Sequence, residues 1–181
     1  EDLKNGIAKT PKEPVQTYLD DPLRILRTIR FAAKYNIKLD PNLIEAARLP
    51  EIQEAFKNKL SQERIWEEMA GKKEGEGWKL GFLLGPNPVQ AMRLLAQLGL
   101  RDIVLNLTNK EKEELGLDKE IDPWDTDQNN PHHDLDIWNH SLEVLKELVD
   151  KTKTETKEDN ELYLIRNITA VLHDIGKRYQ G

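Results

Sequence analysis

Apolar positions recur along most of the chain at intervals of three and four residues, which is the spacing of one face of an α-helix. The clearest case is YLDDPLRILRTIRF, residues 18–31, where leucines and isoleucines recur between arginines. Asp20 or Asp21 suits the N-cap of this helix, and Pro22 suits its first position, where the missing N–H costs nothing. The pattern predicts a helix that runs to about Tyr35.

Other amphipathic stretches predict further helices. They are PNLIEAARL after the cap Asp40, PEIQEAFKNKL, SQERIWEEM with its first residue Ser61 as the cap, PVQAMRLLAQLGL, DIWNHSLEVLKELVD and ELYLIRNITAVLHDIGK. Residues 1–19 are interpreted as an extended lead-in, KKEGEGWKLGFLLGPNP as a connector, and the acidic stretch 109–131 as a linker or long loop. No stretch alternates apolar and polar residues over a useful length, so the predicted fold class is all-α.

Composition narrows the class of protein. The chain has 181 residues, of which 38% are hydrophobic and 33% charged, and no apolar run is long enough for a transmembrane helix. It has no cysteine, which excludes disulfides and thiolate metal sites and is typical of a reducing, cytoplasmic compartment. Because the chain opens with EDLKNGIAKTP and not with methionine, we expect it to be part of a longer protein.

Charge is distributed unevenly between the two halves. Residues 1–100 carry 16 Lys and Arg against 14 Asp and Glu, or +2, whereas residues 101–181 carry 11 against 19, or −8. A polyanion would therefore meet the first half, through a local patch and not through the overall field.

Three arginines follow an aspartate on the first predicted helix. Arg24, Arg27 and Arg30 are three residues apart and trace one slowly rotating ridge, and Asp21 can pair with Arg24 across the first turn. The simplest interpretation is a solvated, charged helix face. The alternative is recognition of a nucleobase edge, since Asp offers acceptors and Arg a planar fork of donors, with the remaining arginines facing phosphate.

The order of several blocks favours the second interpretation. DLKNGIAKTP, QTYLDDPLRILRTIRFAAKYNIKLDP, LSQERIWEEM and GPNPVQAMRLLAQLGL together resemble the bacterial and eukaryotic class of CCA-adding tRNA nucleotidyltransferases and the related bacterial poly(A) polymerases. The resemblance runs through the first 100 residues. It implies a helical neck and body, like the C-terminal part of a poly(A) polymerase.

The resemblance also implies roles for individual residues. Asp21 and Arg24 would act as a protein template for the base of the incoming CTP or ATP, and Arg27 and Arg30 would lie in the same pocket, nearer the triphosphate. Asp20 stands where the family usually has glutamate.

The same resemblance implies a supporting role for two residues of the SQERIWEEM block. Glu63 and Arg64 would brace the template helix. The stretch GKKEGEGWKLGFL is insertion-like relative to the family, which leaves the alignment of residues 71–84 open.

The resemblance further implies a catalytic head with a Gly-Gly turn and two aspartates that bind Mg²⁺. The sequence contains neither the turn nor such a pair on an apolar strand, and the DLD at residues 134–136 precedes a predicted helix. We therefore expect the chain to begin after the head and to be inactive in nucleotide transfer by itself.

A second set of residues resembles the HD superfamily of metal-dependent phosphohydrolases. The segments WNHSLEVL and AVLHDIGKR supply His140, His173 and Asp174, and placing them on two helices lets the three converge on a divalent metal. Packing of an isolated histidine is the alternative. His132 and His133 are further candidate ligands, and the last aspartate of the motif would lie beyond Gly181.

These interpretations predict a domain order. Residues 1–19 would end the head, 20–76 form the neck with the template and RNA-binding helices, 77–120 the body, 121–136 a linker, and 137–181 the first part of an HD domain. The expected partner is tRNA, without a membrane role, and the sequence leaves the oligomeric state open. The rival functions are a poly(A) polymerase of the same superfamily, an HD phosphohydrolase with a helical RNA-binding adaptor, and a structural RNA-binding module.

Overall fold

The computed structural model describes residues 7–8, 12–75, 77–105, 113, 136–152 and 159–174. The chain divides into two compact units, Glu1–Val104 and Leu105–Gly181. The described elements of the first unit are β1 (Ile7–Ala8), α1 (Pro14–Asp20), α2 (Leu23–Tyr35), β2 (Lys38–Leu39), α3 (Pro41–Arg48), α4 (Pro50–Lys59), α5 (Gln62–Met69), β3 (Gly71–Glu74), β4 (Gly77–Leu80), α6 (Pro88–Gln97) and α7 (Arg101–Leu105). The predicted all-α class is confirmed as a mostly helical fold.

Helix α2 lies at the centre of the first unit and packs against α5 and α6. Its start is fixed by Asp21, whose Oδ1 accepts a hydrogen bond from the Leu23 N–H at 3.3 Å. The helix thus begins one residue after Pro22 and not at it. It ends at Asn36, which adopts a left-handed φ of 51°, a conformation that asparagine tolerates better than most residues.

The predicted caps of the next helices are confirmed. Asp40 Oδ1 accepts a hydrogen bond from the Asn42 N–H at 2.9 Å at the start of α3, and Ser61 Oγ accepts one from the Arg64 N–H at 3.4 Å at the start of α5. Each cap satisfies one of the N–H groups that a helix leaves without a partner in its first turn.

The extended lead-in predicted for residues 1–19 is wrong for its last part, because α1 occupies Pro14–Asp20. Pro14 is the first residue of the helix, where proline is tolerated, so it starts the helix and does not prevent it. Helix α1 packs on α3, and Tyr18 is fully buried. Burial raises the pKa of Tyr18 to about 12, an effect that the neighbouring Thr28 hydroxyl partly offsets.

The connector predicted after α5 contains an antiparallel hairpin of β3 and β4, in which Lys72 pairs with Lys79 and Lys73 with Trp78. Two glycines permit its tight base. A side chain at Gly71, whose φ is +87°, would collide with the Lys79 carbonyl, and one at Gly81 would collide with the Met69 carbonyl. The two short β-strands at Ile7–Ala8 and Lys38–Leu39 form a second, parallel pair.

The described part of the second unit is a pair of packed helices, α8 (Ile137–Thr152) and α9 (Asn160–Leu172). Asp159 caps α9, since its Oδ1 accepts a hydrogen bond from the Glu161 N–H at 3.2 Å. Leu145 and Val171 are among the buried apolar residues of the pair. None of the helices in the described ranges combines the length and apolar composition needed to cross a bilayer.

Candidate nucleotide site and candidate metal site

Helix α2 divides its residues between a buried face and an outward face. Ile25, Leu26 and Ile29 are fully buried, and burying each such side chain contributes about 1.5–3 kcal/mol. This anchoring fixes which residues point away from the core. Arg24 and Arg27 are exposed as a consequence.

Glu68 of α5 binds two of the three arginines. The Arg27 Nε donates to Glu68 Oε1 at 3.2 Å, and the Arg30 Nε donates to Glu68 Oε2 at 2.9 Å. The Glu68 side chain is 3% exposed, whereas those of Arg27 and Arg30 are 47% and 33% exposed. One buried carboxylate therefore faces two guanidinium groups, and the cluster keeps a net positive charge at its outer edge.

The Asp21 carboxylate joins this network from the start of the helix. Its Oδ2 accepts from Arg27 Nη1 at 3.4 Å, and its Oδ1 lies 3.8 Å from Arg64 Nη2. The sequence suggested a pair between Asp21 and Arg24, but Asp21 makes these two contacts instead. At 28% exposure, the Asp21 side chain still reaches solvent and has lone pairs left for another donor.

Arg24 stands apart from the network. Its backbone carbonyl accepts a hydrogen bond from the Thr28 hydroxyl at 2.8 Å. Within the part of the chain that the structure describes, its guanidinium forms no ion pair or hydrogen bond with another side chain. Five N–H donors of a permanently charged group are therefore available next to Asp21.

The structure brings some of the predicted supporting residues to the cluster and not others. Arg64 reaches Asp21, but no hydrogen bond or ion pair joins Glu63 to α2 among the described residues. Asp20 accepts a hydrogen bond from Gln16 Nε2 at 2.7 Å, within α1. Sequence reasoning missed Glu68, the most buried member. A signal was present, because a carboxylate on the apolar side of SQERIWEEM requires a cationic partner.

The three candidate metal ligands of the second unit converge. One ligand atom each from His140, His173 and Asp174 lies within 4.8 Å of the others. Asp174 Oδ2 is 3.5 Å from His140 Nε2 and 3.4 Å from His173 Nε2. The Asp174 side chain is 6% exposed, so the carboxylate is buried beside two imidazoles.

The hydrogen bonding of His173 suits a metal ligand. Its Nδ1 is 2.9 Å from the Ala170 carbonyl oxygen, a distance that requires the proton on Nδ1 because two lone pairs would repel. Nε2 lies 3.4 Å from Asp174 Oδ2, so a cation bound between these two atoms would be coordinated by both. The donor set of two imidazoles and a carboxylate fits a divalent metal. The further candidates His132 and His133 lie outside the described residues.

Comparison with curated proteins finds several CCA tRNA nucleotidyltransferases among the relatives. A mitochondrial CCA tRNA nucleotidyltransferase of Candida glabrata is 39% identical over 104 residues, which cover 58% of this chain and 18% of that protein. The tRNA nucleotidyltransferase cca2 of Schizosaccharomyces pombe is 41% identical over 83 residues, 46% of this chain and 17% of that protein. A multifunctional CCA protein of Neisseria meningitidis serogroup C is 28% identical over 160 residues, 88% of this chain and 31% of that protein.

The chain thus spans less than a third of the length of the relatives described above. No protein-family model and no solved structure matches it. The family resemblance inferred from the sequence motifs is confirmed: the chain is homologous to CCA tRNA nucleotidyltransferases.

Proposed function

We propose that the whole protein adds nucleotides from CTP and ATP to the 3′ ends of tRNA in the cytoplasm, and that this chain selects the nucleotide and forms part of the tRNA-binding surface. In each cycle the terminal hydroxyl oxygen would form a bond to the α-phosphorus of the nucleotide, lose its proton, and displace pyrophosphate. Nucleotide selection requires donors and acceptors at fixed positions, which is what α2 would supply.

The observation that carries this proposal is the way Arg27 and Arg30 are held while Arg24 is left available. The buried Glu68 fixes the first two through their Nε atoms, so their outer N–H groups can face phosphate without side-chain disorder. Asp21, with Arg24 beside it, would present acceptors and donors to the base edge. Small shifts of these two side chains would let the same arrangement serve both CTP and ATP.

The chain would depend on other parts of the protein for chemistry. Mg²⁺ bound by aspartates of a catalytic head would supply the activation of the hydroxyl. The 181-residue chain alone is therefore expected to transfer no nucleotide. Its contacts with tRNA would be dominated by phosphate, so that affinity would fall steeply with salt.

The experiment that tests the function uses the longer protein with a tRNA that ends before CCA, and supplies each nucleotide separately and then together. We expect CTP incorporation first and ATP incorporation only after it. Repeated incorporation of ATP alone would instead identify a poly(A) polymerase. Absence of incorporation with every nucleotide would refute both.

The His140, His173 and Asp174 cluster favours a second candidate function. We propose that these residues hold a divalent metal, which when bound would lower the pKa of a coordinated water for phosphate-ester hydrolysis. The Nδ1–H of His173 would donate its hydrogen bond to the Ala170 carbonyl oxygen and so orient the ring. Isothermal titration of the chain with Mn²⁺ tests the site, and His140→Ala should abolish the heat of binding if the cluster is correct. Unchanged binding by the variant would refute it.

A further inference from the structure

Two aromatic rings are exposed near the end of α2. Phe31 is 45% exposed and Tyr35 is 52% exposed. Their ring centroids are 4.6 Å apart at an interplanar angle of 53°, so the rings form one apolar surface and not two isolated side chains. Two adjacent rings exposed in this way offer an apolar face on which another ring can pack.

The charges around the two rings indicate which kind of molecule would bind there. Helix α2 carries four cationic residues and no acidic one. Glu68 pairs with two of them, which leaves Arg24 and Lys34 without an ion pair among the described residues. The Lys34 ammonium lies 5.3 Å from the centroid of the Tyr35 ring, a cation–π distance. Rings interleaved with cations are typical of surfaces that stack the bases and neutralise the phosphates of single-stranded nucleic acid. A protein partner that offered only apolar side chains would leave these cations without acceptors.

The position of the pair relates it to the candidate nucleotide site. Residues seven apart on a helix lie on the same face, so Phe31 continues the exposed line that begins at Arg24. The rise between them is about 10 Å, which corresponds to roughly three nucleotides at about 3.4 Å each. This separation is too large for one nucleotide and suits a short single strand.

We propose that Phe31 and Tyr35 form a stacking platform for an unpaired base of the RNA 3′ end, and that Lys34 contacts its phosphate. The proposal rests on the proposed function, because it assigns the strand to the same face that would read the nucleotide. The platform would hold the primer end in line with Arg24 while each nucleotide is added. Base stacking on rings is tolerant of sequence, as a primer end that changes with every addition requires.

The test measures binding of the 181-residue chain to a labelled RNA hairpin with a four-nucleotide 3′ overhang, by fluorescence anisotropy at low salt. Phe31→Leu and Tyr35→Leu keep apolar side chains on the helix and remove the rings. The double variant should weaken binding roughly fivefold to a hundredfold. A hairpin without the overhang should bind more weakly and should not respond to the variant. Trp66→Leu, which removes a ring 48% exposed on α5, is the matched control and should leave the affinity unchanged.

A fluorescent base analogue gives a signal that would not change if the two rings only stabilised the fold. With 2-aminopurine in the overhang, stacking on the rings should quench its fluorescence in the native chain and not in the double variant. Unchanged affinity and quenching in the double variant would overturn the proposal, as would an equal loss with Trp66→Leu. No binding by the native chain would overturn it as well. If the double variant instead lowers the Tm of the longer protein more than that of this chain, the rings are covered by protein and the proposal is wrong.

The outcomes separate this inference from the proposed function. Loss of the platform should raise the KM for RNA and leave the preference for CTP and ATP intact. Wild-type KM in the double variant, together with normal CCA addition, would reject the platform and retain the function. Failure of CCA addition in the native longer protein would reject the function itself.

Discussion

Replacement of Glu68 by glutamine tests most directly whether Glu68 stabilises helix α2. The change keeps the volume of a side chain that is 3% exposed, so it opens no cavity, but it removes the charge that faces Arg27 and Arg30. Glutamine can accept from one Nε through its oxygen, while its amide group would face the other guanidinium. At least one charge-assisted hydrogen bond is lost, which contributes roughly 1.5–3 kcal/mol.

Exposure of the two arginines limits this loss. Their side chains are 47% and 33% exposed, so water can replace part of what Glu68 provides. We therefore expect Glu68→Gln to lower the free energy of opening of α2 by about 2 kcal/mol. Glu67→Gln is the matched control on the same helix. Glu67 accepts one hydrogen bond, from the partly exposed Lys72 Nζ at 3.2 Å, so its loss should be clearly smaller than that of Glu68.

Native-state hydrogen exchange is the suitable assay, because the chain has two units and its global unfolding need not be two-state. Peptides from α2 report on the first unit alone. A factor of about 30 in the exchange of α2 amides corresponds to the predicted 2 kcal/mol. Equal exchange in Glu68→Gln and Glu67→Gln would refute the conclusion that Glu68 holds the helix.

Three further predictions follow from other parts of the chain. Burial raises the pKa of Tyr18 to about 12, so the folded state keeps a proton that the unfolded state releases, and stability that is intact below pH 10 should be lost as the pH rises to about 12. The loss is about 3 kcal/mol at most, since each pKa unit corresponds to about 1.4 kcal/mol. Urea titrations at pH 9 and 11 should show that the native chain loses more stability between these pH values than Tyr18→Phe does. Equal losses in the two proteins would contradict the prediction. Asp174→Asn should weaken Mn²⁺ binding at least tenfold in calorimetry while α8 and α9 keep their circular dichroism, and wild-type affinity would show that the carboxylate is not a ligand. Gly71→Ala should destabilise the first unit by more than about 1 kcal/mol in thermal unfolding, because φ is +87° and the Lys79 carbonyl blocks a side chain. Gly75→Ala should destabilise it less, because φ is +60° but the space around the residue is open. The reverse order of the two variants would argue against the hairpin.

The features that depend on neighbouring residues in sequence were predictable. Asp40 and Ser61 were identified as caps because a cap acts within three residues. The end of α2 at Tyr35 could be placed because the apolar spacing stops at the sequence NIKLDP. The convergence of His140 with His173 and Asp174 followed from a motif resemblance, and the structure brings these residues together.

The features that depend on distant residues were not predictable in this way. Glu68 lies 38 positions after Arg30 in the sequence, and no local rule pairs them. The hairpin of β3 and β4 was not predicted, because its four-residue strands are rich in lysine and glycine and lack alternating apolar residues. Helix α1 was missed because prolines suggested an extended segment, although one of them occupies a helix start.

The central claim is that α2 selects the incoming nucleotide, and Arg24→Ala in the longer protein tests it most directly. Incorporation of CTP and of ATP should be measured separately on tRNAs that accept each, with Arg48→Ala, an exposed arginine of α3, as the control. We predict that kcat/KM for both nucleotides falls more than tenfold, corresponding to over 1.4 kcal/mol, with an unchanged Tm. Rates equal to those of the native protein and of Arg48→Ala would contradict the claim.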